Sequence, residues 1–103
     1  MGPFTSIVAH LMIADCRPNR LDRVIETCGK DLLPAAEKGM GYRGSYLLVS
    51  RDTCRVIALS LWDTASDALT FQGSKPCQSQ LLSIGDCFAV PVQSQLFDIA
   101  AQA

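Results

Sequence analysis

Residues 45–62 constrain the fold more than any other part of the chain, because two apolar runs there flank a short polar segment. The first run is Ser-Tyr-Leu-Leu-Val-Ser, the second is Arg-Val-Ile-Ala-Leu-Ser-Leu-Trp, and Arg-Asp-Thr-Cys separates them. This pattern is typical of an antiparallel hairpin. Directly after it, Thr64 and Asp67 have the spacing of a helix N-cap and its partner three residues on. The sequence therefore predicts a hairpin that leads straight into a capped helix.

The segment before the hairpin predicts a strand followed by a long helix. Residues 4–14 are apolar on both alternating faces, which is typical of a strand that is covered on both sides. In residues 19–38 the apolar side chains recur at helical spacing, with charged side chains on the opposite side. Pro34 interrupts this helix, because proline lacks a backbone N–H and clashes with the preceding turn. We therefore expect a bend or a break near residues 30–33.

The segment after the hairpin predicts two short helices and a last strand. The first helix, residues 65–72, would turn Ala68, Leu69 and either Phe71 or Gln72 toward the core. The second helix, which ends at residue 84, would be packed down by Leu81, Leu82 and Ile84. Residues 92–100 alternate well enough for a final strand. The resulting order βαββαβ predicts an α+β, ferredoxin-like subunit in which helices cover one face of a four-stranded antiparallel sheet.

The other face of the predicted sheet also needs a cover. By alternation, one set of side chains from the first strand and the strand at residues 56–62 is wholly aliphatic and points away from the helices. At 103 residues the chain is long enough for a single domain, taken as residues 1–103, and its 49% hydrophobic and 18% charged residues leave little polar surface. We therefore predict a homodimer in which two sheets close on each other through their helix-free faces.

Composition also excludes several classes of function. The net charge is −1 and there is no basic run, so nucleic acid and anionic membrane surfaces are poor partners. The sequence shows no apolar stretch long enough for a membrane helix and no signal peptide, which favours a cytoplasmic protein. Five cysteines without a C-x-x-C pair, together with one histidine, lack the spacing of a zinc site. We therefore expect free thiols, no metal and no cofactor.

A formal G-x-G-x-x-G occurs at residues 39–44, but its context is reversed. The dinucleotide-binding fingerprint closes a strand and opens a helix, whereas this segment closes a helix and opens a strand. No helix N-terminus then follows to hold a pyrophosphate. The sequence therefore does not predict a dinucleotide site here.

Four segments together resemble the antibiotic biosynthesis monooxygenase-like (ABM) domains over nearly the whole chain. They are Leu-Leu-Pro-Ala-Ala (32–36), Gly-Tyr-Arg-Gly (41–44), Arg-Asp-Thr (51–53) and Leu-Ser-Leu-Trp-Asp-Thr-Ala-Ser-Asp-Ala (59–68). The resemblance implies a dimeric α+β barrel. Members of this family include cofactor-independent quinol or anthrone monooxygenases, haem-degrading enzymes and proteins with no assigned reaction. In the family the tryptophan of the third strand lines a cavity between sheet and helices, and Trp62 matches it.

The sequence departs from the haem-degrading members of this family at the positions that bear their chemistry. Where those members carry an asparagine in the first strand, this chain has His10, and the neighbourhood of their haem-ligating histidine reads Phe71-Gln72-Gly73. Haem degradation is therefore not expected. Many relatives also have glycine where Cys54 stands, so a positive φ there would strain this cysteine.

His10 is the predicted catalytic residue. Alternation places it on the same face of its strand as Val8 and Met12, and the family match places Trp62 in the cavity that this face borders. A neutral imidazole could take a proton from a phenol or hydroquinone, and the resulting carbanion could react with O₂ without a metal or flavin, as the resemblance implies. The predicted ligand-binding residues for a small aromatic molecule are Val8, Met12, Ala58, Ser60, Trp62 and Phe71.

Two alternatives stay open at this point. His10 can instead be a buried histidine with a purely structural hydrogen bond, and Trp62 can be an ordinary core residue. The competing function is a non-catalytic protein, either a small-molecule-binding or a structural homodimer of the same fold.

Overall fold

The predicted order of strands and helices is confirmed by a computed structural model, which describes residues 7–103. Residues 4–6 of the first predicted strand lie outside the described residues. The strands are β1 Val8–Asp15, β2 Tyr42–Ser50, β3 Arg55–Trp62 and β4 Gln93–Asp98. They pair antiparallel in the order β2-β3-β1-β4, which is the ferredoxin-like arrangement.

The long helix predicted before the hairpin runs as three consecutive helical segments. α1 (Leu21–Thr27) leads into a π-helical turn (Cys28–Leu32), and α2 (Leu33–Glu37) follows. The N–H of Leu33 donates to the carbonyl of Cys28, one residue further back than in an α-helix. This wider turn directly precedes Pro34, where an ordinary α-helical turn would clash with the proline ring. The interruption expected near residues 30–33 therefore takes the form of a π turn.

The two helices after the hairpin are α3 (Ala65–Gln72) and α4 (Lys75–Ser83). The predicted cap is confirmed, since Thr64 Oγ1 accepts a hydrogen bond of 3.0 Å from the backbone N–H of Asp67. The inward direction predicted for Leu69 and Leu82 is wrong, because these side chains are 51% and 81% exposed. A helix turns by about 100° per residue, so the neighbouring positions face the sheet instead. The fully buried residues of these two helices are Ala68 and Cys77.

The sheet register fixes which side chains share a face. Val8, His10 and Met12 of β1 lie opposite Trp62, Ser60 and Ala58 of β3, respectively, and all six are buried beneath the helices. Successive residues point to opposite faces, so the remaining positions of the central strands form a second face. We call this second surface the open face; in the described residues its apolar members are Ala9, Leu11, Ile13, Tyr46, Leu48, Ile57, Leu59, Leu61 and Phe97.

The core lies between the helices and the covered face of the sheet. The buried side chains of the first helical segments recur every three or four residues, so that they form a single stripe against β1 and β3. β4 is an edge strand, and all six of its residues are exposed. Because the helices leave β4 uncovered, a cleft remains between α3 and β4. The stripe consists of Leu21, Val24, Cys28, Leu32 and Ala36.

Candidate functional site

His10 lies in the middle of β1, faces the helices and is fully buried. Its Nε2 donates a hydrogen bond to Oε1 of Gln72, at the end of α3, over 3.2 Å. Because the partner is a carbonyl oxygen, Nε2 carries the proton and Nδ1 holds the lone pair. Nδ1 is buried and has no hydrogen-bond partner in the described part of the chain. The lone pair of Nδ1 is therefore basic and unpaired, although it lies beneath the surface.

Burial keeps this imidazole neutral. Loss of hydration penalises the charged form and lowers the pKa of His10 below its usual 6.5, whereas the weaker effect of the Gln72 hydrogen bond raises it. A neutral histidine at neutral pH can act as a general base.

A cleft of about 300 Å³ opens beside His10, between α3 and β4. This volume lies at the lower end of the usual range for small-molecule sites, about 300–1,000 Å³. Leu69 and Leu96 contribute partly exposed apolar side chains to its lining, and Gln72, which also lines the cleft, is hydrogen-bonded to the imidazole. The complete lining is His10, Leu69, Gln72, Ser94, Gln95 and Leu96.

Trp62 is packed tightly rather than set at the edge of a cavity. The ring is fully buried, stacks on Phe71 with 5.3 Å between centroids, and meets Tyr42 edge to face at 5.7 Å. Its indole N–H donates to Ser60 Oγ over 2.8 Å. Gly39 adjoins the ring so closely that an added Cβ would lie 2.9 Å from it. The space around Trp62 is therefore filled by side chains and backbone.

The predicted site residues share one layer of the structure but not one cavity. His10 lines the cleft, whereas its register neighbours Met12 and Ala58 line a separate apolar void of about 20 Å³. Phe71 borders another cleft, of about 380 Å³, at the end of α2. Val8, Ser60 and Trp62 are buried in the packed layer between them.

Sequence reasoning missed most of the cleft lining. The sequence pattern left open whether Phe71 or Gln72 turns inward, and it did not predict that the amide of Gln72 is the partner of the single histidine. Ser94, Gln95 and Leu96 could be placed only by the register of β4 against β1, which a single strand pattern does not fix. Leu69 was predicted to be buried. The one useful signal was the position of Gln72, four residues after Ala68 on the inward side of α3.

Two general features of the described residues 7–103 bear on the kind of site. That part of the chain contains no group of three or more His, Cys, Asp or Glu side chains placed to hold a metal ion. Among the helices found there, none is long and apolar enough to cross a membrane.

The lowered pKa of His10 makes stability depend on pH in a defined direction. The unfolded histidine titrates near 6.5 and the folded one below it, so between these values the unfolded chain binds more protons. The free energy of unfolding should therefore fall as the pH drops through 6.5, with a slope of at most about 1.4 kcal/mol per pH unit from this group. Urea unfolding between pH 7.5 and 5 measures it.

His10→Gln is the matched control, because it removes this titration and leaves every carboxylate in place. The difference between the two pH profiles gives the contribution of His10 to the free energy of unfolding. Parallel profiles would show that His10 titrates alike in the folded and unfolded chains, and that its environment is not the buried one described above.

Neither a family model nor a curated protein sequence matches the chain. Solved structures do match it closely in backbone. A Bordetella bronchiseptica protein named as a candidate antibiotic biosynthesis monooxygenase superposes with a TM-score of 0.81 at 19% identity, over 93% of this chain and 99% of that one. Rv0793 from Mycobacterium tuberculosis gives 0.80 at 16% identity, over 95% and 99% of the two chains.

A third structure agrees with these. A Nitrosomonas europaea protein, also named as a candidate antibiotic biosynthesis monooxygenase, gives a TM-score of 0.80 at 14% identity over 91% of this chain and 90% of that one. Identities this low establish the fold and leave the reaction open. The resemblance seen in the sequence is thus confirmed at the level of structure: this chain has the fold of proteins named as antibiotic biosynthesis monooxygenases.

Proposed function

We propose that the chain binds a small, flat, apolar molecule of the quinol or polyphenol class in the His10 cleft and oxidises it with O₂, without a cofactor. The observation that carries this proposal is the unpartnered, buried Nδ1 of a neutral histidine beside a cleft of ligand size. Buried polar atoms are normally paired, so an unpaired lone pair is a reason to look for a ligand that pairs with it.

The proposed reaction requires the protein to remove a proton from the substrate. In an anthrone, the keto tautomer of a polyphenol, Nδ1 of His10 takes a proton from the activated CH₂ carbon, and the electron pair left behind forms a carbanion. The carbanion reduces O₂ and bonds to it, and the imidazolium returns its proton to give a hydroperoxide. Loss of water then leaves a carbonyl group. Overall one CH₂ group and O₂ give one C=O group and water, so no external reductant is needed.

Substrate access requires a small movement of the cleft walls. His10 is fully buried, and Leu69, Gln72 and Leu96 line the cleft beside it. A flat apolar ring that entered between the two leucines would cover apolar surface that now faces water. The amide oxygen of Gln72 would remain hydrogen-bonded to Nε2, so that Nδ1 stays the basic nitrogen.

Oxygen consumption with a panel of hydroquinones and anthrones tests this proposal. The wild-type protein should consume O₂ and release the carbonyl product, whereas His10→Ala and the larger His10→Gln should be slower by about 100-fold or more, the usual contribution of a general base. Leu82→Ala, which changes an exposed leucine on α4, is the control that should keep the full rate. An active wild type whose rate is unchanged in both His10 variants would rule out His10 as the base.

A second function has an observation of its own. The filled space around Trp62 and the buried nitrogens of His10 suit a protein that binds a ligand without transforming it. Equilibrium dialysis with the same panel separates the two functions. Binding that depends on the cleft, with no oxygen uptake by the wild type, would establish the non-catalytic alternative.

We also propose that the chain forms a homodimer through the open face. Its central positions on β1 and β3 are apolar, whereas β4 contributes Phe97 together with Gln93 and Gln95. Tyr46, Leu48 and Phe97 are about half exposed. Contiguous apolar surface of this kind is uncommon on monomers. A second copy of the same sheet would cover it with side chains of matching character.

A further inference from the structure

Three of the five cysteines lie close together where β1 ends and β3 begins, away from the His10 cleft. The β1–β3 ladder extends to the pair Asp15–Arg55, beyond which Cys16 follows β1 and Cys54 precedes β3. The N–H of Cys16 donates to the carbonyl of Cys54 over 2.8 Å, so the pairing continues by one more step. On the other side of Cys16, the N–H of Arg17 donates to the carbonyl of Cys87 over 2.8 Å.

The pairing of Cys16 with Cys54 is compatible with a disulfide bond. Residues directly opposite each other in an antiparallel ladder have their Cα atoms about 4.5–5.5 Å apart, and one ladder-type hydrogen bond joins Cys16 to Cys54. Disulfides usually join Cα atoms about 4.4–6.8 Å apart. Both side chains are free thiols. Charge on Cys54 is one of the influences that raise the pKa of Cys16, after burial and Cys87, which is consistent with neighbouring sulfur atoms.

The two thiols differ in exposure, and this difference suits a sequence of attack and resolution. Cys16 is buried, whereas Cys54 is partly exposed in the hairpin turn, with its Sγ 3.9 Å from the carbonyl oxygen of Arg51. Cys54 also has a φ of +55°, a left-handed conformation that glycine adopts without strain. The backbone strain anticipated for Cys54 is thus present. Of the three cysteines, Cys54 is also the one whose thiol is not buried.

We propose that Cys54 is a peroxide-reactive thiol and that Cys16 resolves it into an intramolecular disulfide. The Cys54 thiolate attacks a peroxide oxygen, the O–O bond breaks, and Cys54 becomes a sulfenic acid as one water leaves. The Cys16 thiolate then attacks the Cys54 sulfur, an S–S bond forms and a second water leaves. Two thiols and one hydrogen peroxide thus give one disulfide and two waters. The bond would tie the hairpin turn to the end of β1.

The test is a peptide map of the whole protein after treatment with hydrogen peroxide. Trypsin places Cys54 alone on residues 52–55 and Cys16 on the peptide that ends at Arg20, because cleavage before Pro18 is blocked. Under non-reducing conditions these peptides should appear joined, lighter by two hydrogens, and the number of reactive thiols per denatured chain should fall from five to three. Dithiothreitol should restore all of them.

Variants give the proposal its controls. Cys54→Gly, which relieves the left-handed strain, should lose no thiols to peroxide at the dose that oxidises the wild type. Cys16→Ser should instead accumulate the Cys54 sulfenic acid, trapped with dimedone, and Cys87→Ala should still form the bond. A Cys16–Cys87 link in the wild type would overturn the proposal. So would oxidation of Cys54 to sulfinic acid at the same rate with and without Cys16.

Discussion

Trp62→Ala is expected to lower the free energy of unfolding by about 3–5 kcal/mol, the usual range for removing a buried tryptophan. The indole is fully buried and contacts Phe71 and Tyr42 through its ring. Alanine leaves a cavity at this junction of β3, α3 and the end of α2, and it leaves Ser60 Oγ without its donor. Urea unfolding of wild type and variant at pH 7.5 measures the change.

Trp62→Phe is the intermediate variant, because phenylalanine keeps one aromatic ring in the packed layer and removes the second ring together with the hydrogen bond to Ser60. We expect it to cost less than the alanine variant. Leu82→Ala, at an 81% exposed position, should change stability by no more than about 0.5 kcal/mol. A loss below about 1.5 kcal/mol for Trp62→Ala would contradict the packed arrangement described for Trp62.

Leu59→Glu is expected to convert the proposed homodimer into a monomer. Leu59 lies at the centre of the open face, paired with Leu11 on one side and Tyr46 on the other. In a dimer closed through this face, both copies would bury a carboxylate without a partner, and an unpaired buried charge costs several kcal/mol. Light scattering with size-exclusion chromatography should give a dimer mass for the wild type and a monomer mass for the variant.

Leu82→Glu places the same charge on the opposite side of the molecule and should leave the dimer intact, since Leu82 lies on α4 and is mostly exposed. A wild-type protein that is monomeric at micromolar concentration would contradict the homodimer. A dimer that survives Leu59→Glu would place the interface somewhere other than the open face.

Local signals were sufficient for the elements that local chemistry determines. The hairpin turn at Arg51–Cys54, the Thr64 cap and the helix interruption ahead of Pro34 each depend on a few neighbouring residues, and each is present where the sequence predicts it. The face of each strand also followed from alternation, which correctly placed His10 with Ser60 and set Leu59 on the other side. These features need no knowledge of distant contacts.

The cleft could not be predicted in the same way. Its walls come from the end of α3 and from β4, and their approach depends on the register of an edge strand that follows an irregular segment. The inward direction assigned to Leu69 failed because a short helix with apolar residues at adjacent positions can satisfy burial with either of them. Sequence pattern identified His10 but not the amide that orients it or the side chains that surround it.

The central claim is that His10 is a neutral base whose Nδ1 meets a ligand in the cleft, and nitrogen NMR tests it most directly. His10 is the single histidine of the chain, so ¹⁵N-histidine labelling gives one pair of imidazole signals, which need not be assigned to a residue. Nε2 should carry the proton, the pKa should lie below 6.5, and a saturating anthrone or hydroquinone should shift the Nδ1 signal. The claim would be contradicted if the imidazole were protonated at Nδ1. It would also be contradicted if no ligand in the panel changed the chemical shift of the Nδ1 signal.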